Sequence, residues 1–357
     1  MDINVFQTKE PKSKPNADQL GFGKYYTDHM FLMQYDSEQG WHDAKIVPYA
    51  PLSIEPTSAV FHYGQECFEG MKAYRGVDTK VRLFRPDRNA VRFSATCRRM
   101  CIPEIRESDF VDAVKAIVSL DAEWIPTATT SDVSLYIRPC AIATQVSLIP
   151  APSSTYLFFI VCSPSGALHG NAPHGEKIFV EEQYTRAAPG GTGAAKCGGN
   201  YASGFAAQVR AREHGCDQVL WLDSATHRYI EEVGGMNVFF KIDESIYTAP
   251  TTSGTILSGV TRMSCIELLS DWGYDVKEQP ISLDQIIDAS CQGTLEEAFG
   301  TGTAAVISPI QEFSYKNSII RVGDGLTGTV TRRLYETLTG IQRGKIADEK
   351  NWTVLIS

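Results

Sequence analysis

Apolar and polar positions along this chain fall into two periods, one of two residues and one of three to four. In the first third, strand-like runs at residues 30–35, 58–62, 71–74 and 81–84 are separated by turn sequences. The last two flank Arg75-Gly-Val-Asp78, and together the runs predict an antiparallel sheet. Pro86 then opens a helix whose apolar positions Ala90, Phe93, Cys97 and Met100 recur every three to four residues, and Pro103 closes it. A second helix is predicted from Ser108 through Phe110, Val114, Ile117 and Val118, followed by strands at 133–144 and 155–162.

Residues 163–176 hold glycines, prolines, His169 and His174 and match neither period. A domain boundary is expected there: an amino-terminal domain at 1–165, a linker at 166–180 and a carboxy-terminal domain at 181–357. Strand-like stretches in the second part include 177–181, 218–222, 228–232, 237–242 and 245–248. Helices are predicted at 200–214, 260–272, 283–289 and 330–341, and two strands, 295–299 and 304–310, surround Gly300-Thr-Gly-Thr303. There is no internal repeat.

A length of 357 residues exceeds what one core usually supports, and 43% apolar residues suffice to fill two. Thirty-three basic against 42 acidic residues give a net charge of -9, which opposes binding to a phosphate backbone, so no nucleic-acid partner is expected. The longest apolar stretch, Tyr156-Leu-Phe-Phe-Ile-Val-Cys162, is of strand length, so no membrane span is expected. Asp2, Glu10 and Asp18 interrupt a polar amino end with no arginine before Arg75, unlike a secretory or transit signal, and a cytoplasmic location is expected. Nine scattered cysteines without a CxxC pair predict neither a disulfide framework nor a zinc site. The histidines lack ligand spacing, and no metal is assigned.

Candidate chemistry begins at Lys196, the only charged residue between Arg186 and Arg210, set in a run of alanines and glycines. One reading is a solvated lysine on a flexible loop. The other is an amine stripped of water, whose pKa falls until it can act as a nucleophile and form a Schiff base. Downstream, Tyr229-Ile-Glu-Glu-Val-Gly-Gly-Met-Asn237 places two carboxylates at a strand end, and Leu257-Ser-Gly-Val-Thr-Arg262 puts a glycine turn before a helix, where N–H groups favour an anion. An amine, a carboxylate and an anion site are together what pyridoxal phosphate requires.

These residues carry a resemblance. Gly21-Phe-Gly-Lys24, Thr27-Asp-His-Met30, His62-Tyr-Gly64, Phe68-Glu-Gly-Met71, Arg82-Leu-Phe-Arg-Pro86, Tyr136-Ile-Arg-Pro139, Lys196-Cys-Gly-Gly-Asn-Tyr201, Gln218-Val-Leu-Trp221, Glu232-Val-Gly234 and Gly302-Thr-Ala304 resemble the branched-chain amino acid aminotransferases. That family has the fold type IV architecture of pyridoxal-phosphate enzymes. Two of the blocks, Thr27-Asp-His and Gln218-Val-Leu-Trp, are more similar to the longer, eukaryotic-type branch. The resemblance implies an α+β fold with a smaller amino-terminal α/β domain and a larger carboxy-terminal pseudo-barrel. It implies transamination of leucine, isoleucine and valine with 2-oxoglutarate, using pyridoxal 5'-phosphate.

Residue by residue, the resemblance implies that Lys196 binds the cofactor and moves the substrate proton, and that Glu232 pairs with the pyridine nitrogen. Tyr201 would bond the ring oxygen, and Arg186 would lie near the cofactor. Arg92, Val260, Thr261 and Thr303 would hold the phosphate. Glu231, off the motif, is expected to be solvated. Phe22, Tyr63, Phe68, Tyr136 and Tyr201 would line the substrate pocket, Arg138 would take a distal carboxylate, and Thr303, Ala304 and the Tyr136 hydroxyl would take the α-carboxylate. A segment from Val146 to Pro150 would reach the partner's pocket in a homodimer. Mammalian members carry a redox CxxC where this chain has Ala305 and Ser308, so thiol regulation of that kind is not expected. Short bacterial members have glutamate at the position of Met236, which leaves Glu232 in place. Within the same fold, a D-amino acid aminotransferase or an aminodeoxychorismate lyase would share the lysine and carboxylate but not the Tyr136-Ile-Arg-Pro and Phe68-Glu-Gly blocks. A non-covalent phosphate-binding module would form no chromophore, and an inactive scaffold is at odds with the intact lysine, glutamate and arginine.

Overall fold

A computed structural model describes residues 1–127, 133–166 and 175–356. The chain divides into two compact units, Met1–Leu168 with Ala195–Gly198 and Gly340–Ser357, and His169–Ala194 with Gly199–Thr339. The amino-terminal domain expected at 1–165 is thus enlarged by two later segments, one of them carrying Lys196. His169 and His174 lie outside the described residues.

The first unit is built on one sheet, in the order Asn4–Val5, Gly40–Pro48, His29–Asp36, Tyr156–Ser165, Ser134–Ala143, Met71–Arg75, Val81–Phe84 and Thr353–Ile356, with Glu66–Phe68 also pairing with Ser134–Ala143. All neighbours are antiparallel except Asn4–Val5. Helices Pro86–Arg99 and Glu107–Leu120 bury Ala90, Phe93, Cys97, Phe110, Val114 and Ile117 in the same core as Phe31, Leu83 and Phe158. Their stripes follow the predicted period because a single helix face meets the sheet.

Residues 58–62, predicted as a strand, form part of a short helix, Ala59–Tyr63, that ends at Gly64 in the left-handed conformation. Ala59 is buried while Phe61 is exposed, so the run never had one buried strand face; short apolar runs do not distinguish the two periods. The Thr27-Asp-His-Met30 block turns out to brace the unit. Asp28 accepts from Lys12 N at 2.8 Å and from Trp124 Nε1 at 2.8 Å, while His29 accepts from Thr8 N at 2.9 Å and bonds Asp121 at 2.6 Å.

In the second unit a ring of strands closes on itself: Ile230–Val233, Gln218–Leu222, Glu176–Val180, Val306–Tyr315, Leu295–Gly302, Met236–Ile242 and back to Ile230–Val233. Closure pairs each of these six strands on both sides and makes the expected pseudo-barrel, with Ser245–Thr248, Asp275–Glu278 and Ser318–Arg321 paired outside the ring. Glu176–Val180 is therefore a barrel strand, where the sequence pattern leads one to expect a linker over 166–180. The single helix predicted at 200–214 is two, Gly199–Ala202 and Phe205–Glu213, broken where Gly204 passes the Trp221 ring, which a Cβ would approach to 3.0 Å. Among the described residues no helix is long and apolar enough to cross a membrane.

The last strand is held locally. Asp348 accepts from Trp352 N at 3.0 Å, Thr353 N at 2.6 Å and Thr353 Oγ1 at 2.7 Å, and Arg85 N donates to Trp352 O at 2.7 Å. Asp348→Ala leaves two backbone donors without this acceptor, and is expected to destabilise the first unit by about 1–3 kcal/mol. Urea denaturation reads this, and an unchanged midpoint would show that Asp348 does not secure the strand.

Candidate functional site

Lys196 sits in the first unit on a segment without large side chains, so its backbone must be held directly. Its N–H donates to Thr96 Oγ1 at 3.1 Å, its carbonyl accepts from Phe68 N at 3.0 Å, and Gly198 N donates to the Glu66 carboxylate. Thr96 is supplied by the helix Pro86–Arg99, and Glu66 and Phe68 by one short strand. The side chain is partly accessible, with Nζ 5.0 Å from the centre of the Phe68 ring. Burial of the ammonium, reinforced by the positive charges of Arg92 and Arg138 and opposed by Glu69 and Tyr136, lowers its pKa to about 8.

Arg92 pairs with a protein carboxylate that the sequence motif contained without revealing its role. Its Nε lies 2.7 Å from Glu69 Oε1 and its Nη2 2.8 Å from Glu69 Oε2, a bidentate ion pair around a fully buried carboxylate. Glu69 Oε2 also accepts from Asn89 Nδ2 at 2.7 Å and from Gly70 N at 3.1 Å. Burial pushes the Glu69 carboxyl up, but Arg92, Lys196 and Asn89 together hold it below the usual carboxylate range. Nothing in the sequence distinguishes this glutamate from a solvated one except its place beside Phe68.

The expected substrate residues fall into two groups. Phe22 meets Tyr136 edge to face at 4.9 Å, Arg138 Nη2 donates to the Tyr136 hydroxyl at 2.8 Å, and the Arg138 guanidinium lies over the Phe68 ring at 4.6 Å and the Tyr136 ring at 5.2 Å. Tyr63 instead donates its hydroxyl to the carbonyl of Leu148, joining it to the segment that begins at Val146. Gly70 is required by this geometry, since a Cβ there would stand 2.2 Å from the Tyr136 hydroxyl. Glu66 also belongs here: burial raises its carboxyl pKa, against the Gly198 N–H and Arg138.

The second unit holds the other predicted residues. Barrel closure places Glu232 between Trp221 and Asn237 on the neighbouring strands. Its Oε1 accepts from Leu257 N at 2.8 Å, and its Oε2 lies 3.4 Å from Arg186 Nε. Arg186 also donates to the carbonyl of Thr255. Asn237 donates to Leu257 O at 2.9 Å, and its Oδ1 would lie 2.1 Å from a Cβ at Gly259, so only glycine fits at that helix cap. Val260 and Thr261 follow in the first turn of the helix Val260–Asp271, both buried. Thr303 and Ala304 occupy the turn between Leu295–Gly302 and Val306–Tyr315, and Tyr201 lies in the helix Gly199–Ala202.

Glu231 corrects the sequence reading. It is buried rather than solvated, and burial raises its carboxyl pKa against a Thr255 hydrogen bond and Arg186. Strand alternation would have sent it outward from a single sheet, but a closed barrel flanked by helices leaves few outward faces wet. Among the described residues no cluster of histidine, cysteine, aspartate or glutamate could hold a metal ion.

The sequence profile of the amino-transferase class IV family matches residues 66–313. The chain is 48% identical to branched-chain-amino-acid aminotransferase 2 of Bacillus subtilis, over 99% of this chain and 97% of that one. It is 49% identical to branched-chain-amino-acid transaminase 1 of the same organism, over 96% of each. Among solved structures, the branched-chain amino acid aminotransferase of Escherichia coli superposes with a TM-score of 0.76 at 26% identity, covering 92% of this chain and 99% of the other. The T.th. branched-chain amino acid aminotransferase, solved with pyridoxamine 5'-phosphate, superposes with a TM-score of 0.75 at 26% identity, covering 92% and 98%.

Two outcomes are expected from this geometry. In cofactor-free protein, acetylation of Lys196 should reach half its limiting rate near pH 8, read by peptide mass spectrometry, whereas an ordinary lysine would require pH above about 10. A half-point in that higher range would show that the amine is not desolvated. Gly70→Ala should displace the Tyr136 hydroxyl and with it Arg138, lowering kcat/KM for leucine by about tenfold or more; wild-type kinetics would show that Tyr136 does not need this space.

Proposed function

The chain belongs to the branched-chain-amino-acid aminotransferases of the class IV amino-transferase family, and on that premise we propose that it passes the amino group of leucine, isoleucine or valine to 2-oxoglutarate. The products are branched-chain 2-oxo acids and L-glutamate. The observation that carries this reading is the desolvated amine of Lys196 on a segment whose backbone is fixed by Thr96, Phe68 and Glu66.

The donor set suits pyridoxal 5'-phosphate: an amine of lowered pKa, a buried carboxylate, a buried arginine and a helix amino terminus capped by glycine. When bound, that cofactor supplies an aldehyde that condenses with amines and a ring that accepts electron density from the reacting carbon. Lys196 Nζ would hold the cofactor's aldehyde and would take the proton from the substrate Cα. Glu232 is assigned to holding the proton on the ring nitrogen, with Arg186 and Leu257 N orienting the carboxylate. Tyr201 is assigned to the ring oxygen, and Arg92, Val260, Thr261 and Thr303 to the phosphate.

For the substrate, Phe22, Tyr63, Phe68 and Tyr136 are assigned to the branched side chain. Arg138 fits the dual demand of the reaction. Stacked on Phe68 and Tyr136, its guanidinium presents a flat surface to an apolar side chain and N–H groups to the distal carboxylate of 2-oxoglutarate. Thr303, Ala304 and the Tyr136 hydroxyl are assigned to the α-carboxylate. Val146, Leu148 and Ile149 are exposed apolar residues in the segment that Tyr63 bonds, which favours a homodimer covering them.

Lys196→Ala is expected to abolish transfer from L-leucine to 2-oxoglutarate and to leave no cofactor attached after borohydride reduction. A panel of L- and D-amino acids in a coupled assay separates this reading from D-amino acid transamination. Turnover by the variant at the wild-type rate would sink the assignment.

A further inference from the structure

The reaction as assigned gives no work to Glu69, although it is fully buried and surrounded by donors. We propose that Glu69 is a positioning residue, which holds the Arg92 guanidinium in place for the anionic group of the cofactor and supplies the negative charge beside Lys196. This rests on the reading of Lys196 and Arg92 given under Proposed function.

A carboxylate with no exposed surface persists only when its lone pairs are met, and here they are. Arg92 offers Nε at 2.7 Å and Nη2 at 2.8 Å, Asn89 Nδ2 stands at 2.7 Å and Gly70 N at 3.1 Å. Asn89 and Arg92 lie three residues apart on the helix Pro86–Arg99, so one carboxylate fixes two side chains of the same helix face. Glu69 is itself fixed, because its N–H donates to Pro139 O at 2.8 Å on the strand that carries Tyr136 and Arg138. Glu69 therefore ties the helix bearing Arg92 to the strand bearing the substrate cation. It engages one edge of the guanidinium fork, and a planar fork held along one edge has its remaining donors directed by geometry rather than by rotamer freedom.

The same carboxylate acts on Lys196. The charged or titratable groups around that amine are Arg92, Arg138, Tyr136 and Glu69, and of these Glu69, with Tyr136 after it, opposes the two guanidinium groups. Without its charge, two guanidinium groups would face the amine with no buried counter-charge from this motif.

The test compares wild type, Glu69→Gln and Glu69→Asp with two probes, pyridoxal 5'-phosphate and pyridoxal, added to cofactor-stripped protein. Binding is read by absorbance, and the loaded protein's visible band is then titrated with pH. Glu69→Gln should weaken pyridoxal 5'-phosphate about tenfold or more while changing pyridoxal by less than about threefold, because only the former carries the anion. The pH midpoint of the visible band should fall by about one unit, since a nearby negative charge has gone. Glu69→Asp should keep the preference for the phosphate-bearing probe within about threefold of wild type. Equal weakening of both probes, or an unmoved midpoint, would show that Glu69 only stabilises the fold and would overturn the proposal. Should Glu69→Gln fail to fold, the Glu69→Gln, Arg92→Gln double variant removes both charges and replaces it. The double variant must lose the preference for pyridoxal 5'-phosphate over pyridoxal; retaining that preference overturns the proposal. The wild type is the control for the underlying reading: if borohydride traps no cofactor on Lys196, that reading fails and this one falls with it, whereas a trapped wild type with indifferent variants indicts Glu69 alone.

Discussion

The first unit is organised around one lysine whose backbone is held by hydrogen bonds and whose amine lies among other charges. Its peptide groups are bonded on both sides, which fixes where the side chain starts, and its Nζ lies 5.0 Å from the centre of the Phe68 ring. Alanines and glycines around Lys196 allow that close approach; Thr96, Phe68 and Glu66 fix it. Three cations, Lys196, Arg92 and Arg138, then stand near two carboxylates, Glu66 and Glu69. The excess of positive charge suits this part of the protein to anionic ligands.

The second unit solves a related problem by closure. A ring of strands gives Glu232 a neighbour on each side and brings Leu257 N and Arg186 to its two oxygens, so a buried carboxylate remains paired. Gly259 is part of the same arrangement. Its missing side chain leaves room for Asn237, which reaches the Leu257 carbonyl and so fixes the loop that donates to Glu232.

Much of this was legible from the chain alone, for a physical reason. The helices Pro86–Arg99 and Val260–Asp271 announced themselves because a proline or glycine start and a periodic or capped body are local properties. Lys196 was visible because charge is rare in a run of small residues, and Glu232 because it ends a strand before glycines. Residues 58–62 misled because three apolar residues, Ala59, Val60 and Phe61, satisfy either period. Glu231 misled because exposure was inferred from its place off the motif, when the barrel and its surroundings decide it.

Local pattern and composition settled where chain direction changes, which stretches are periodic, and which residue types are available for chemistry, because those follow from each residue and its near neighbours. They could not say that residues 340–357 return to the first unit, that 176–180 closes a barrel, or that Arg92 is clasped by Glu69. Those outcomes are pairings between groups far apart in the sequence. They depend on which carboxylates and cations burial forces together, and burial is a property of the assembled fold.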